Sequence, residues 1–89
     1  MGWRWSSLAK FLDPWLEGEP DESARVAVLR QMATLVEHAE WITGDEVTGR
    51  PPLIRSYVVE EARVRLVWLR SEQFHALDLV AIEPLERLP

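Results

Sequence analysis

The residues best equipped for chemistry in this chain are arginines, and four of them, Arg55, Arg63, Arg65 and Arg70, fall in or beside apolar runs in its second half. Guanidinium groups gathered on one side of neighbouring strands make a local basic face suited to anionic partners. On an antiparallel sheet with one wet face, the same side chains are otherwise ordinary solvated residues. The formal net charge of -5 argues against a surface dominated by phosphate binding, because counterion release needs clustered Lys and Arg. The charge is uneven, however. Residues 1–49 hold four basic and nine acidic side chains and residues 50–89 hold six of each, so the deficit lies in the first half and the arginine-rich half is neutral.

Other reactive groups are sparse. Glu37, His38 and Glu40 beside Trp41 have the types of a metal site, but with no cysteine and only His75 besides, they read as a wet helix face. His75 reads as a turn residue. Ser6 and Ser7 read as helix caps, since neither histidine stands at a spacing known for nucleophilic catalysis. No glycine loop of the phosphate-cradling kind occurs, and no cofactor is expected. The absence of cysteine removes disulfides and thiolate chemistry and suits a reducing cytoplasm. No apolar run approaches the roughly 18 to 20 residues that span a bilayer, and residues 1–5 lack the apolar core of a signal peptide, so a cytoplasmic chain without membrane contact is expected. Trp3, Trp5 and Trp15 exceed what a small core needs and are candidate partner-binding residues.

The elements that must position these residues follow from pattern. Three runs, at about 53–59, 64–70 and 75–82, are rich in β-branched and aromatic residues and end in polar turns or at Pro84. Their connections are too short for a parallel crossover, so they form an antiparallel meander. Leu53, Arg55, Tyr57 and Val59 share one face of the first; Val64, Leu66, Trp68 and Arg70 share one face of the second. The third is apolar on both faces, as a central or doubly covered strand would be. Trp3-Arg4-Trp5 is compatible with a fourth strand over 2–5. Leu8, Phe11, Leu12, Trp15 and Leu16 make one apolar stripe on a helix of about 6–17, with a break or kink expected at Asp13-Pro14. A second helix over about 20–42 carries Val28, Leu29, Met32, Leu35, Val36, Ala39 and Ile42 at helical spacing, with Gly44 in the C-cap role. Asp45–Pro52 reads as a loop, and Glu83–Pro89 as an extended or partly disordered tail. The 89 residues form a single α+β domain: two N-terminal helices packed on an antiparallel sheet of three to four strands. A domain this small gains from a homodimer or a bound partner.

The order of elements, the pattern Trp5-Ser6-x-x-Ala9-x-x-x-Leu12, the Gly49-Arg50 loop and the strand Arg55-Ser56-Tyr57-Val58-Val59 followed by Val64-Arg65-Leu66-Val67-Trp68 resemble the RelE/ParE superfamily of bacterial toxins over nearly the whole chain. The resemblance implies two helices on an antiparallel sheet and a cognate antitoxin that wraps the protein. In the RelE-like branch, a ribosome-dependent endoribonuclease, it implies that arginines stabilise charge on the scissile phosphate of messenger RNA. Arg55 occupies a strand position comparable to an arginine of that family, and Arg65 and Arg70 complete the candidate catalytic set, with Arg63 nearby. Such nucleases commonly carry a His or Tyr after the last strand, where this chain has Glu83-Pro84-Leu85-Glu86-Arg87; Tyr57, the only tyrosine, lies too early. A ParE-like toxin, which binds DNA gyrase, fits the acidic charge better. The alternative from another class is a non-catalytic interaction or dimerisation domain that shares the fold.

Overall fold

The computed structural model describes residues 2–85. The three apolar runs become β3 (Ile54–Val59), β4 (Val64–Ser71) and β5 (Ala76–Pro84), consecutive and antiparallel. A single 3-10 turn over Glu60–Ala62 and left-handed backbone at Arg63 (φ 54°) set the β3–β4 register, with Val59 opposite Val64 and Arg55 opposite Trp68. The β4–β5 turn closes through His75, also left-handed (φ 48°), in the turn role its position suggests. A bulge at Val67/Trp68 leaves Val80 of β5 unpaired and bends that pair of strands.

Two further strands extend the meander to a five-stranded mixed sheet of order β1-β5-β4-β3-β2. β1 spans Arg4–Ser6, starting two residues and ending one residue later than the 2–5 expected, and runs parallel to β5, with Trp5 opposite Leu77. β2, Asp45–Glu46, falls in the stretch read as a loop and pairs with Ser56 and Arg55 of β3. β5 is thus an interior strand, as its two apolar faces suggest. The expected tail begins later: Glu83 and Pro84 belong to β5, and residues 86–89 lie outside the described residues.

Both helices lie on one face of the sheet. α1 (Leu8–Gly18) runs unbroken through Pro14, contrary to the expected break. Proline leaves the Lys10 carbonyl without its helical donor, but Phe11, Leu12, Trp15 and Leu16, on either side of it, all pack on the core and hold the helix together. Ser7 precedes α1 with left-handed backbone (φ 64°) and makes no side-chain cap. Instead Ser6 Oγ (3.0 Å) and Ser7 Oγ both donate to Asp78 Oδ1, pinning β1 to β5.

α2 spans Glu22–Glu37, and Asp21 caps it by accepting from the Ser23 N–H at 2.9 Å. It stops five residues short of Ile42. The apolar spacing continues because the chain stays tightly wound, the N–H groups of Trp41 and Ile42 both donating to the His38 carbonyl, at 2.9 and 2.7 Å. Ala39, 1% exposed, remains in the core. Leu29, placed in the core stripe by its spacing, is 45% exposed.

The core is formed by Val28, Met32 and Leu35 of α2 against Val64, Leu66 and Trp68 of β4 and Leu77 and Leu79 of β5. Trp68 is its largest fully buried side chain. Gly44 does not cap the helix; it lies against the Trp68 indole with φ +78°, and a Cβ there would sit 2.6 Å from Trp68 Cζ2 and 3.0 Å from the Ser56 carbonyl. Strain and collision act together, so Gly44→Ala is expected to cost at least about 1–3 kcal/mol, read as a lowered urea midpoint.

Candidate functional site

The β3–β4 register decides which arginines act together. Arg55 stands opposite Trp68, so Arg55, Trp68 and Arg70 share the helix-covered face, while Arg65, three positions before Trp68, points to the other side. Arg65 is exposed there, between Val58 of β3 and Glu83 of β5, and lines a cleft with the acidic Asp45 and Glu46. Arg63 is exposed in the β3–β4 turn. The expected set of three is therefore divided by the sheet.

Arg70 is buried, at 7% exposure, and its hydrogen-bonding capacity is turned inward. Its guanidinium donates to the Ala39 carbonyl, which α2, having stopped at Glu37, leaves without a helical donor. It also lies 4.3 Å above the Trp3 indole, which in turn stacks on His75 at 5.0 Å and 12°. Glu72, 3.6 Å away, is itself 80% exposed and balances the charge from solvent. Arg70 thus ties the end of α2, residue 3 and the β4–β5 turn together.

Arg55 differs. It is half-buried, and its Nε is buried without a hydrogen-bond partner. It lines a cleft of about 540 Å³ at the β3–β4 end of the sheet with Thr43, Leu53, Leu69, Arg70 and Glu72. Leu53 is 59% exposed at the mouth. The cleft pairs one under-used guanidinium with hydroxyl and apolar groups, an arrangement suited to holding a carboxylate or phosphate beside an apolar contact. Tyr57, two residues along the same face, opens into a separate cleft beside Glu60 and Glu61.

The three candidate partner tryptophans are half-buried and pack on the core. Trp5 donates its indole N–H to the Met32 carbonyl at 2.8 Å and meets Trp68 edge-on at 5.7 Å. Trp3 is held between Arg70 and His75, and Trp15 lies on the core side of α1. The exposed indole is that of Trp41, at 83%. The register of Val28, Leu35 and Ala39 already turns position 41 outward, so the signal for it was in the helical spacing. Glu37, His38 and Glu40 are all exposed, and among the described residues no group of three His, Asp or Glu is placed to hold a metal ion.

Two helices over a mixed sheet, with the first strand parallel to the last and an arginine in a cleft at the sheet end, define the architecture. It is the RelE-like fold. The chain superposes on the isolated E. coli RelE toxin with a TM-score of 0.70 and 12% identity, covering 99% of this chain and 88% of that one. It matches the intact E. coli RelBE toxin-antitoxin complex at a TM-score of 0.69 and 14% identity, covering 98% of this chain and 100% of that one. No protein-family model and no curated protein sequence matches it. At this identity the likeness is one of fold. Among the described residues, no helix is long and apolar enough to cross a membrane.

Proposed function

We propose that the chain is the toxin of a toxin–antitoxin pair, that it acts by binding its target in the ParE-like manner, with DNA gyrase as that target, and that a cognate antitoxin neutralises it. The RelE-like fold and its likeness to a toxin–antitoxin complex support the toxin reading. One observation carries the choice of binding over cleavage: Arg55 and Arg65 lie on opposite faces of the sheet and Arg70 is engaged with Ala39 and Trp3, so the arginines do not converge on one phosphate. Cleavage also needs an acid–base group, and residues 76–89 contain neither His nor Tyr.

A second reading, ribosome-dependent cleavage of messenger RNA, is favoured by the position of Arg55 in the lining of its cleft. Induced expression in a bacterial host separates the two when growth, DNA supercoiling and message integrity are followed in one culture. Arrest with relaxed or broken DNA and intact messages is expected; arrest with cut messages restores the nuclease, and untouched growth at high soluble expression removes both. Arg55→Ala is expected to weaken target binding roughly tenfold or more, the worth of one charged hydrogen bond. Arg65→Ala, on the opposite face, leaves it unchanged, and equal losses in a pull-down with gyrase would rule out the cleft as the contact.

A further inference from the structure

α2 carries a second apolar stripe on the side away from the core. Val26 and Leu29 are 42% and 45% exposed, and Ala33 is exposed beyond them. At about 100° per residue these three fall within about 60° of one another, roughly 130° around the helix from the buried line of Val28, Met32 and Leu35. The stripe leads past half-buried Val36 to a groove of about 360 Å³ lined by Gly2, Trp3, Val36, Glu37, Glu40 and Trp41. Trp41, 83% exposed, forms its outer wall. An apolar band running into an aromatic groove is a surface built to be covered.

Its charge says by what. Glu22 stands at the start of the stripe, Glu37 at its end and Glu40 on the groove, all three exposed. Arg25 is turned back to the Glu19 carbonyl; Arg30 lies beside the stripe, but it shares one cleft with Glu22, Val26 and Glu61 and another with Tyr57, Glu60 and Glu61, so it is outnumbered by carboxylates and the face stays net acidic. A second copy of this chain is a poor occupant. Packed antiparallel about a two-fold axis near the middle of the stripe, two α2 helices set Glu22 against the Glu37 and Glu40 end; packed parallel, each glutamate meets itself. An anionic lipid surface is repelled in the same way.

We propose that this face docks an amphipathic helix of a partner chain whose apolar stripe is flanked by Lys or Arg. The apolar residues of that helix cover Val26, Leu29 and Ala33, a large side chain enters the groove beside Trp41, and its basic flanks meet Glu22, Glu37 and Glu40. The inference deepens the toxin reading by giving the neutralising partner a docking chemistry, and rests on that reading only for the partner's identity.

The test uses the full chain and a library of helical peptides with leucine fixed at i, i+3, i+4 and i+7 and flanking positions randomised among Lys, Arg, Glu and Gln. Selection on the unaltered protein is expected to enrich Lys and Arg. The best peptide is expected to lose on the order of tenfold in affinity on Leu29→Glu and on the pair Glu37→Lys with Glu40→Lys, and the lysine pair should enrich Glu instead. All these positions are exposed, so unchanged circular dichroism and urea midpoints confirm that the variants fold. No enrichment, enrichment of neutral or acidic flanks, or binding indifferent to both variants overturns the proposal. So does a dimer of the unaltered protein that Leu29→Glu dissociates, which would make the stripe an interface between copies. Basic-helix binding by a protein that arrests no growth removes the toxin reading and leaves the docking face standing.

Discussion

Replacing Trp68 with alanine is expected to remove about half of the folding stability of this domain. The side chain is 1% exposed, fills the centre of the sheet's covered face, meets Trp5 edge-on and closes against Gly44. Truncating a buried tryptophan costs about 3–5 kcal/mol in lost burial and residual cavity. A domain of this size holds about 5–10 kcal/mol in all. With a urea slope of about 1–1.5 kcal/mol/M, the midpoint should fall by at least about 2 M. Trp68→Phe keeps most of the volume and should lose far less. A Trp68→Ala midpoint within about 0.5 M of the unaltered protein would mean that the helices are held to the sheet by something other than this indole.

Arg70 is the second position where a large effect is expected, and two substitutions separate its roles. Arg70→Ala leaves the Ala39 carbonyl unpaired and strips the cover from Trp3, at a cost of about 2–4 kcal/mol. Arg70→Met keeps an apolar stem over the indole and should recover about half of that, because a buried ion exchanged for a packed isostere often costs little. The Glu72 contact adds little, being open to water. In the growth assay, Arg70→Met should arrest growth as the unaltered protein does. A well-folded Arg70→Met that is inert, beside an active Arg55→Ala, would move the target contact from Arg55 to Arg70.

The parts of the fold legible in the sequence were those in which residue type and spacing agree. β3, β4 and β5 announce themselves as apolar runs closed by polar turns, and α2 by its spacing from Val28 to Leu35. What escaped has physical reasons. Asp45-Glu46 has no strand propensity of its own; its pairing is supplied by Ser56 and Arg55 of β3, eleven and nine residues along from their partners. Three residues at Arg4–Ser6 carry no signal of direction, and the choice of a parallel partner is made by β5. The cost of Pro14 within α1 was legible and was outweighed by the burial of Phe11, Leu12, Trp15 and Leu16 around it.

The site was legible by half. Alternation along β4 already put Arg65 and Arg70 on opposite faces. Placing Arg55 with Arg70 required the register across the Glu60–Ala62 turn, which depends on left-handed backbone at an arginine and which no glycine or asparagine advertised. The inward role of Arg70 depends in turn on where α2 ends, and there the apolar spacing runs on past the last helical hydrogen bond.

The parallel pairing of β1 with β5 also bears on how the chain finds its fold. Arg4 and Ala76 are joined across nearly the whole described sequence, so closing that loop costs about 4 kcal/mol of chain entropy before any hydrogen bond forms. The hairpins β3–β4 and β4–β5 need only short closures and can assemble first with α2 across them. The amino-terminal strand therefore zips in last, and the pair of serine hydroxyls on Asp78, with the Trp5 indole on Met32, acts as the latch. In the folded protein, undoing that latch would uncover the Trp3 and Trp5 indoles and the edge of β5 while the meander stays intact.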